Sequence, residues 1–163
     1  MSEGGVMIKH IKQFNIRKNK IKVILSTIAT IVILSPILFN IAIMIINNFI
    51  AVSVKNDLKK LPIPENSELI SSYSVAGKVV GNGNGMQYFG AILIQSELSL
   101  EELSEYYSSF DRPYIQVSIQ RGNDIVVLDH GSHAFNVKYD NCYIVYDWGS
   151  ANVILEQFDL RGH

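Results

Sequence analysis

Val23–Ile46 reads VILSTIATIVILSPILFNIAIMII, and this stretch decides how the whole chain is organised. It belongs to a longer uncharged stretch that runs to Val54 and is flanked by Lys22 and Lys55. As a helix, its 24 residues would rise about 36 Å at roughly 1.5 Å per residue. The hydrocarbon core of a bilayer is roughly 30 Å thick, so the sequence predicts a transmembrane helix that spans the membrane with some tilt.

Two other interpretations of this stretch are open. A secretory signal has an apolar region of only about 7–15 residues, although Ala51-Val52-Ser53 offers the small residues of a cleavage site. A buried helix of a soluble protein seldom contains roughly 18 or more consecutive apolar residues. Length therefore favours a retained membrane anchor over a cleaved signal or a buried core helix.

The charges on either side of the helix predict its orientation. Residues 1–22 carry six basic residues and one acid, whereas residues 55–78 carry four lysines and three acids. Because basic residues are retained preferentially on the cytoplasmic side, we expect residues 1–22 to be a basic cytoplasmic segment. The C-terminal domain is then extracytoplasmic, and the chain is a single-pass protein of the cell membrane.

Several polar residues interrupt the predicted span. Ser35-Pro36 lies near its middle, where the proline removes one helical hydrogen bond and predicts a modest kink or, alternatively, a hinge. Asn40 could hydrogen-bond to a second helix, whereas Asn47 and Asn48 mark the expected outer interface. One span without an intramembrane charge argues against a transporter or ion pathway formed by this chain alone.

The net charge of −1 conceals an asymmetry between the two ends of the chain. Residues 55–163 contain eight basic and fourteen acidic residues, so the C-terminal domain is acidic. Nucleic-acid binding needs a basic surface, and the composition therefore excludes nucleic acid as a partner of this domain. Cys142 is the single cysteine, so we expect a small buried side chain and no internal disulfide.

A proline-containing segment follows the uncharged stretch. Leu61-Pro62-Ile63-Pro64 favours extended backbone, and proline also stops a helix. We therefore predict a semi-rigid linker over residues 55–64 that holds the domain away from the membrane. The extracytoplasmic domain should occupy residues 65–163, which are enough to build one hydrophobic core.

The domain begins with a predicted hairpin and one helix. Leu69–Val80 and Met86–Ile94 read as strands, and the Asn-Gly pairs of Gly81–Gly85 favour a tight turn between them. Ser99 and Glu102 have the spacing of a capping box, which predicts that a helix begins there. Leu98 and Leu103 match the hydrophobic staple that often accompanies such a cap.

Short strands should follow the helix, since turn residues recur at intervals of about ten residues. The predicted strands are Tyr114–Gln120, Ile125–Leu128, Phe135–Tyr139, Tyr143–Trp148 and Val153–Phe158, arranged as an antiparallel meander. Alternation in the first of them predicts one solvated face, formed by Gln116, Ser118 and Gln120. The predicted fold class is α+β: one N-terminal transmembrane helix plus a mostly antiparallel sheet of order ββ-α-ββββ, or ββ-α-ββββ(β) if the last predicted strand is included, with one helix packed on a face.

No sequence motif assigns a catalytic or cofactor-binding residue. Gly81–Gly85 lacks the Gly-Lys-Ser/Thr ending of a phosphate-binding loop. Asp129, His130 and His133 are of the residue types that bind zinc, and they form the weak candidate metal site. Asp, His, Gly and Ser are also ordinary turn residues, so a plain turn is the favoured interpretation, and the sequence predicts no cofactor and no enzyme.

Aromatic residues are concentrated in the C-terminal domain, where most of them should form the core. Those that reach the surface would suit a peptide, glycan or protein interface. The residues concerned are Tyr73, Tyr88, Phe89, Tyr106, Tyr107, Tyr114, Tyr143, Tyr146 and Trp148.

The run LPIPENSELI at 61–70, the glycine-rich turn and SLEELSEYY at 99–107 resemble a type of small bacterial extracytoplasmic α+β domain. The resemblance covers roughly residues 61–120. It implies a domain tethered by one membrane helix or a lipid, and it implies no catalytic residue.

These observations lead to three functional hypotheses. The favoured one is a membrane-anchored, noncatalytic binding or sensing domain outside the cell. The alternatives are a membrane-tethered metal-dependent enzyme that uses Asp129, His130 and His133, and an accessory subunit of a membrane complex held through Asn40. The expected partners are the lipid bilayer and a protein or peptide, either outside or in the membrane.

Overall fold

The computed structural model describes residues 3–78, 85–112, 114–122, 126–128, 131–133, 135, 137, 140–149 and 154–162. Among these residues, two helices, α1 (Glu3–Lys60) and α2 (Leu100–Ser108), are combined with six strands. The strands are β1 (Ser67–Gly77), β2 (Gln87–Ser96), β3 (Gln116–Gln120), β4 (Val126–Leu128), β5 (Gly131–His133) and β6 (Cys142–Gly149). Two 3-10 helices, Ile154–Phe158 and Leu160–Gly162, follow β6.

The chain forms two compact units, Met1–Ile41 and Ala42–His163. In the first unit, every side chain from Arg17 to Phe39 is exposed. By length and composition, the part of α1 from Arg17 to Lys60 could cross a membrane. A signal sequence near an N-terminus meets the same criterion of length and composition. The predicted long apolar helix is confirmed.

In the second unit, the C-terminal part of α1 is packed rather than free. Ile43, Ala51 and Leu58 are each at most 1% exposed. Their spacing of seven or eight residues places them on one face of a helix. This face was concealed in the sequence, because the opposite face between residues 42 and 54 is uncharged as well.

The segment expected to be a linker differs from an extended spacer. Residues 55–60 are helical, since the first helix-stopping proline is Pro62. Beyond them, the Leu61 amide donates to the Leu58 carbonyl at 3.1 Å and the Tyr106 hydroxyl donates to the Pro62 carbonyl at 3.1 Å. Pro64 is buried. The proline segment is therefore fixed on the domain, and the compact unit begins at Ala42 rather than near Glu65.

The main sheet has four antiparallel strands in the order β1-β2-β6-β3. The predicted α+β class with a mostly antiparallel sheet is confirmed. The predicted meander after α2 is wrong, because β3 pairs with β6, whereas β4 pairs with β5 in a separate two-stranded sheet. Every residue of β6 from Cys142 to Asp147 is buried. A strand buried on both faces belongs at the centre of a sheet, whereas the short, partly polar β3 is suited to an edge.

Three local predictions are wrong. Gly131–His133 is strand β5, paired with β4, where the sequence predicted a turn. Phe135 and Val137, predicted to lie in a strand, are buried outside any strand. Ile154–Phe158 is a 3-10 helix rather than a strand. In short apolar segments, periodicity alone does not distinguish these conformations.

Each face of the main sheet has its own core. On one face, Ile92, Ile94 and Val145 pack with Leu58 of α1 and with Leu103 and Tyr107 of α2. On the other, Phe89, Leu93 and Ile144 pack with Phe135 and Val137. The predicted solvated face of β3 is therefore wrong at Gln120, which is 1% exposed and whose side-chain oxygen accepts a hydrogen bond from the Phe135 amide at 3.2 Å.

The capping box of α2 is confirmed. The Glu102 amide donates to the Ser99 hydroxyl at 3.3 Å, and the Ser99 amide donates to the Glu102 carboxylate at 2.8 Å. These bonds satisfy amides that the first turn of a helix leaves unpaired. They fix where α2 begins, and so which of its residues face the sheet.

Candidate functional site

A cleft of about 370 Å³ lies where α1, the segment after α2 and the end of β6 meet. It combines three carboxylates and one guanidinium with two aromatic rings. Its lining residues are Val54, Asp57, Asp111, Arg112, Tyr114, Asp147, Trp148 and Gly149. We refer to it as the Arg112 cleft.

Two glycines allow α1 to lie directly on the sheet beside this cleft. A Cβ atom on Gly90 would lie 2.5 Å from the Lys55 backbone nitrogen and 2.8 Å from Val54 Cγ1. A Cβ atom on Gly149 would overlap Val54 as well. Real Cβ atoms do not approach so closely, so the absence of side chains at both positions sets the distance between helix and sheet. This close approach brings Asp57, one turn after Val54, to the cleft.

Arg112 joins the two structural elements of the cleft by ion pairs. Its guanidinium lies 3.2 Å from the Asp57 carboxylate on α1 and 3.2 Å from the Asp147 carboxylate on β6. Asp57 also accepts a hydrogen bond from Lys60 at 2.8 Å. Asp147 is only 7% exposed, and Gly90 is its neighbour on β2. An aspartate in that position needs a cation, because a buried charge without a partner is costly.

The two aspartates that bind Arg112 differ in their pKa shifts. The Lys60 hydrogen bond, together with Arg112, lowers the pKa of Asp57 against a smaller effect of burial. Burial raises the pKa of Asp147 despite the neighbouring guanidinium. Asp57 therefore stays ionised more readily than Asp147. With Asp111, Tyr114 and Trp148, the cleft offers carboxylates and ring faces, which are the groups that bind ammonium and guanidinium ions.

A second polar cluster ties the C-terminal residues to α1. Asn47, fully buried, donates to the Asp159 carboxylate at 2.8 Å and accepts from the Tyr88 hydroxyl at 2.9 Å. Arg161 donates to Asp159 at 2.7 Å and to the Asn48 side-chain oxygen at 2.8 Å. Asn47 was expected at the outer membrane interface, and the structure places it inside this cluster of the second unit.

The charge state of this cluster follows from its hydrogen bonds. The Arg161 guanidinium, with help from Asn47, lowers the pKa of Asp159 to about 2. Burial raises the pKa of Tyr88 to about 12, so its hydroxyl remains a donor to Asn47. The Asp159–Arg161 pair is thus ionised across the physiological pH range, and the cluster has a structural role in holding the C-terminal segment on α1.

A shallow polar cleft of about 480 Å³ lies at the other end of β2. Its most buried hydroxyl, on Ser96, is 2.7 Å from the Ser67 hydroxyl and accepts from the Leu98 amide at 3.1 Å. Asn66 and Asn141 border it with φ angles of 60° and 58°, which asparagine tolerates in turns. The two turns account for these positive φ angles. The Ser96 hydroxyl already has hydrogen-bond partners within the protein.

The predicted metal site of Asp129, His130 and His133 lies largely outside the described residues. Asp129 and His130 lie outside the described residues. His133 is the last residue of β5, and only its backbone is described. Among the residues that the structure describes, no group of three His, Cys, Asp or Glu side chains is arranged to bind a metal ion.

The polar residues of the apolar helix bond within α1. Asn40, considered above as a contact for a second helix, donates to the Pro36 carbonyl at 3.0 Å. The Ser35 hydroxyl lies 3.5 Å from the Val32 carbonyl. Pro36 has no amide to donate to that carbonyl, so the hydroxyl partly replaces the missing donor.

Sequence reasoning named Tyr114 and Trp148 of the Arg112 cleft among the aromatic residues suited to an interface, but it singled out none of the charged residues of the cleft. One signal was available: Asp147 interrupts the apolar run Tyr143–Trp148, and a charged residue in a buried strand needs a partner. The identity of that partner was not readable, because Arg112 and Asp57 are 35 and 90 residues away along the chain.

Comparison with known proteins adds no assignment. No family model matches this chain, and neither a curated protein nor a solved structure matches it. The resemblance to small bacterial extracytoplasmic domains therefore stays a prediction, as does the membrane tether that it implies.

Proposed function

We propose that this chain is a single-pass membrane protein that presents a noncatalytic binding or sensing domain outside the cell, with its N-terminus in the cytoplasm. The observation that carries the proposal is the change in exposure along α1. Side chains from Arg17 to Phe39 are exposed, whereas Ile43 and Asn47 are at most 1% exposed. An apolar, exposed helix needs an apolar solvent, and a bilayer provides one.

The length of the exposed apolar segment supports the same proposal. Residues 23–41 would rise about 28 Å as a helix, close to the roughly 30 Å of a bilayer core. The predicted span over residues 23–46 is accordingly shortened at its outer end, because Ile43 already belongs to the packed unit. The basic residues before Val23 supply the orientation.

The topology can be tested by labelling single cysteines. In a Cys142→Ala background, Glu101→Cys places a thiol on the exposed surface of α2, and Ser2→Cys places one near the N-terminus. A membrane-impermeant maleimide should label Glu101→Cys in intact cells and Ser2→Cys only after permeabilisation. The reverse pattern would overturn the proposed orientation, and labelling of both in intact cells would overturn the span.

Within this function, the Arg112 cleft is the ligand site that the geometry supports best. Three carboxylates and one guanidinium line this cleft, and Tyr114 is 60% exposed. A cationic group can be held by carboxylates and aromatic faces together. The ligand class is thus an amine or guanidinium, such as a basic side chain of a protein or peptide partner.

Trp148 offers a direct readout of that ligand class, since it is the single tryptophan and lines the cleft. Titrating the full-length protein in detergent with a lysine-containing tripeptide should change the tryptophan emission. The same tripeptide with norleucine in place of lysine should not, and Asp111→Asn should weaken the response. An equal response to both peptides would exclude a cation site.

A further inference from the structure

The C-terminal segment exposes apolar side chains beside the polar cluster on α1. Leu160 is 72% exposed, the highest value among the large apolar side chains that the structure describes, and Phe158 is 50% exposed. Phe49, on α1 next to Asn48, is 69% exposed. Large apolar side chains that are exposed in a patch often mark an interaction surface.

Leu160 is held in place by its neighbours on both sides. The preceding residue, Asp159, accepts from Asn47 at 2.8 Å, and the following residue, Arg161, donates to Asn48 at 2.8 Å and to the Met44 carbonyl at 3.2 Å. The Arg161 carbonyl also accepts from the Lys78 amide at 3.0 Å. Leu160 is therefore part of a built turn and not of a loose tail.

These contacts fix the position of Leu160 along α1. Residues 44–48 follow Ile41, the last residue of the proposed span, by three to seven positions in the sequence of the same helix. The interfacial region on each side of the hydrocarbon core is roughly 5–8 Å thick. Under the proposed function, this turn is bound to the residues of α1 that directly follow the span in sequence, where a membrane helix enters the headgroup region.

We propose that Phe158 and Leu160, together with Phe49 on α1, insert into the outer interface of the bilayer that α1 spans. This inference rests on the proposed function and adds a second membrane contact, made by the end of the chain. The partner is the boundary between headgroups and acyl chains, which accepts leucine and phenylalanine side chains. The Asp159–Arg161 ion pair neutralises the charges on either side of Leu160 and so lowers the cost of this approach.

A depth measurement tests this contact with the full-length protein in phosphatidylcholine–phosphatidylglycerol vesicles. In the Cys142→Ala background, Leu160→Cys and Phe158→Cys are each labelled with the fluorophore NBD. Glu97→Cys is the matched control, because Glu97 is exposed just beyond the end of β2 opposite to Tyr88 and the polar cluster. NBD emission should be shifted to shorter wavelength at positions 158 and 160, and vesicles with shallow doxyl-labelled lipids should quench it there but not at 97.

Ile33→Cys separates failure of this inference from failure of the proposed function. Ile33 is 64% exposed on the apolar part of α1, so its label should be quenched by deeply doxyl-labelled lipids. Quenching at 33 with a water-like emission at 158 and 160 overturns the second contact alone. A short-wavelength emission at position 160 without quenching by lipid would mean that a protein, such as a second copy of this chain, covers Leu160. That result would also overturn the second membrane contact. Absence of quenching at 33 overturns the span.

Discussion

Asp147 and Asp159 are both buried aspartates paired with an arginine, yet their pKa values shift in opposite directions. The pKa of Asp159 falls to about 2, because Arg161 and Asn47 hydrogen-bond to its carboxylate. The pKa of Asp147 rises, because burial outweighs the contribution of Arg112. The two residues should therefore affect stability with opposite dependence on pH.

Asp159→Asn should lower the free energy of unfolding at pH 7 by about 2 kcal/mol, because it removes the charge from the hydrogen bonds of a buried carboxylate. A carboxyl group with a lowered pKa stabilises the folded state above its unfolded pKa, and this contribution is lost as the pH falls. The difference from the wild type should thus shrink between about pH 5 and pH 2. Thermal unfolding in detergent measures it. Asp111→Asn, at an exposed position, is the control. An equal loss of stability in both variants would contradict a stabilising role of the ionised Asp159 carboxylate.

Arg112→Met should produce the opposite pH dependence. Near pH 7 it leaves the buried Asp147 without its cation and should cost about 2–3 kcal/mol. A carboxyl group with a raised pKa favours the folded state more as the pH falls through that pKa, since its neutral form needs no partner. The deficit should therefore be largest at neutral pH and smaller in mild acid. Denaturant titration at several pH values checks this, with exposed Arg121→Met as control.

Helix α1 and the sheet depend on two glycines for their close contact. Gly90→Ala should lower stability by about 1–3 kcal/mol, because its Cβ would lie 2.5 Å from the Lys55 backbone nitrogen and the helix has to move away. Gly77→Ala is the matched control in the neighbouring strand, where no atom lies within 4 Å of an added Cβ. Unfolding temperatures of the two variants in the same detergent compare the effects. A similar loss in both would indicate a general effect of alanine.

The elements that the sequence predicted well are those whose signal is local. The cap formed by Ser99 and Glu102 needs residues only three apart, and it correctly placed the start of α2. The order of strands depends on partners that are distant in sequence. Strand β6, which is buried on both faces, lies between β2 and β3. The Arg112 cleft is formed by residues from three separate parts of the chain. Its charged residues are visible in the sequence, but their proximity in space could not be predicted from it.

The boundary of the folded unit is a property of the whole molecule. The sequence placed it near Glu65, whereas the compact unit begins at Ala42. A chain of residues 42–163 should unfold cooperatively in mild detergent. A chain of residues 65–163 should aggregate or lose its near-ultraviolet circular dichroism, because the core of Ile92 and Val145 loses Leu58. A cooperative transition in the shorter chain would show that α1 is dispensable for folding.

The fixed proline segment after α1 limits how far the domain can search for a ligand. Ten extended residues over 55–64 would have lifted the domain by roughly 31 Å at about 3.1 Å per residue. Instead, residues 55–60 continue the helix and the Pro62 carbonyl is bound by Tyr106. Under the proposed topology, no extended spacer over residues 55–64 separates the domain from its membrane helix. Its recognition is then short-range, and the ligands it meets at high effective concentration are those carried by the same membrane or held close to it.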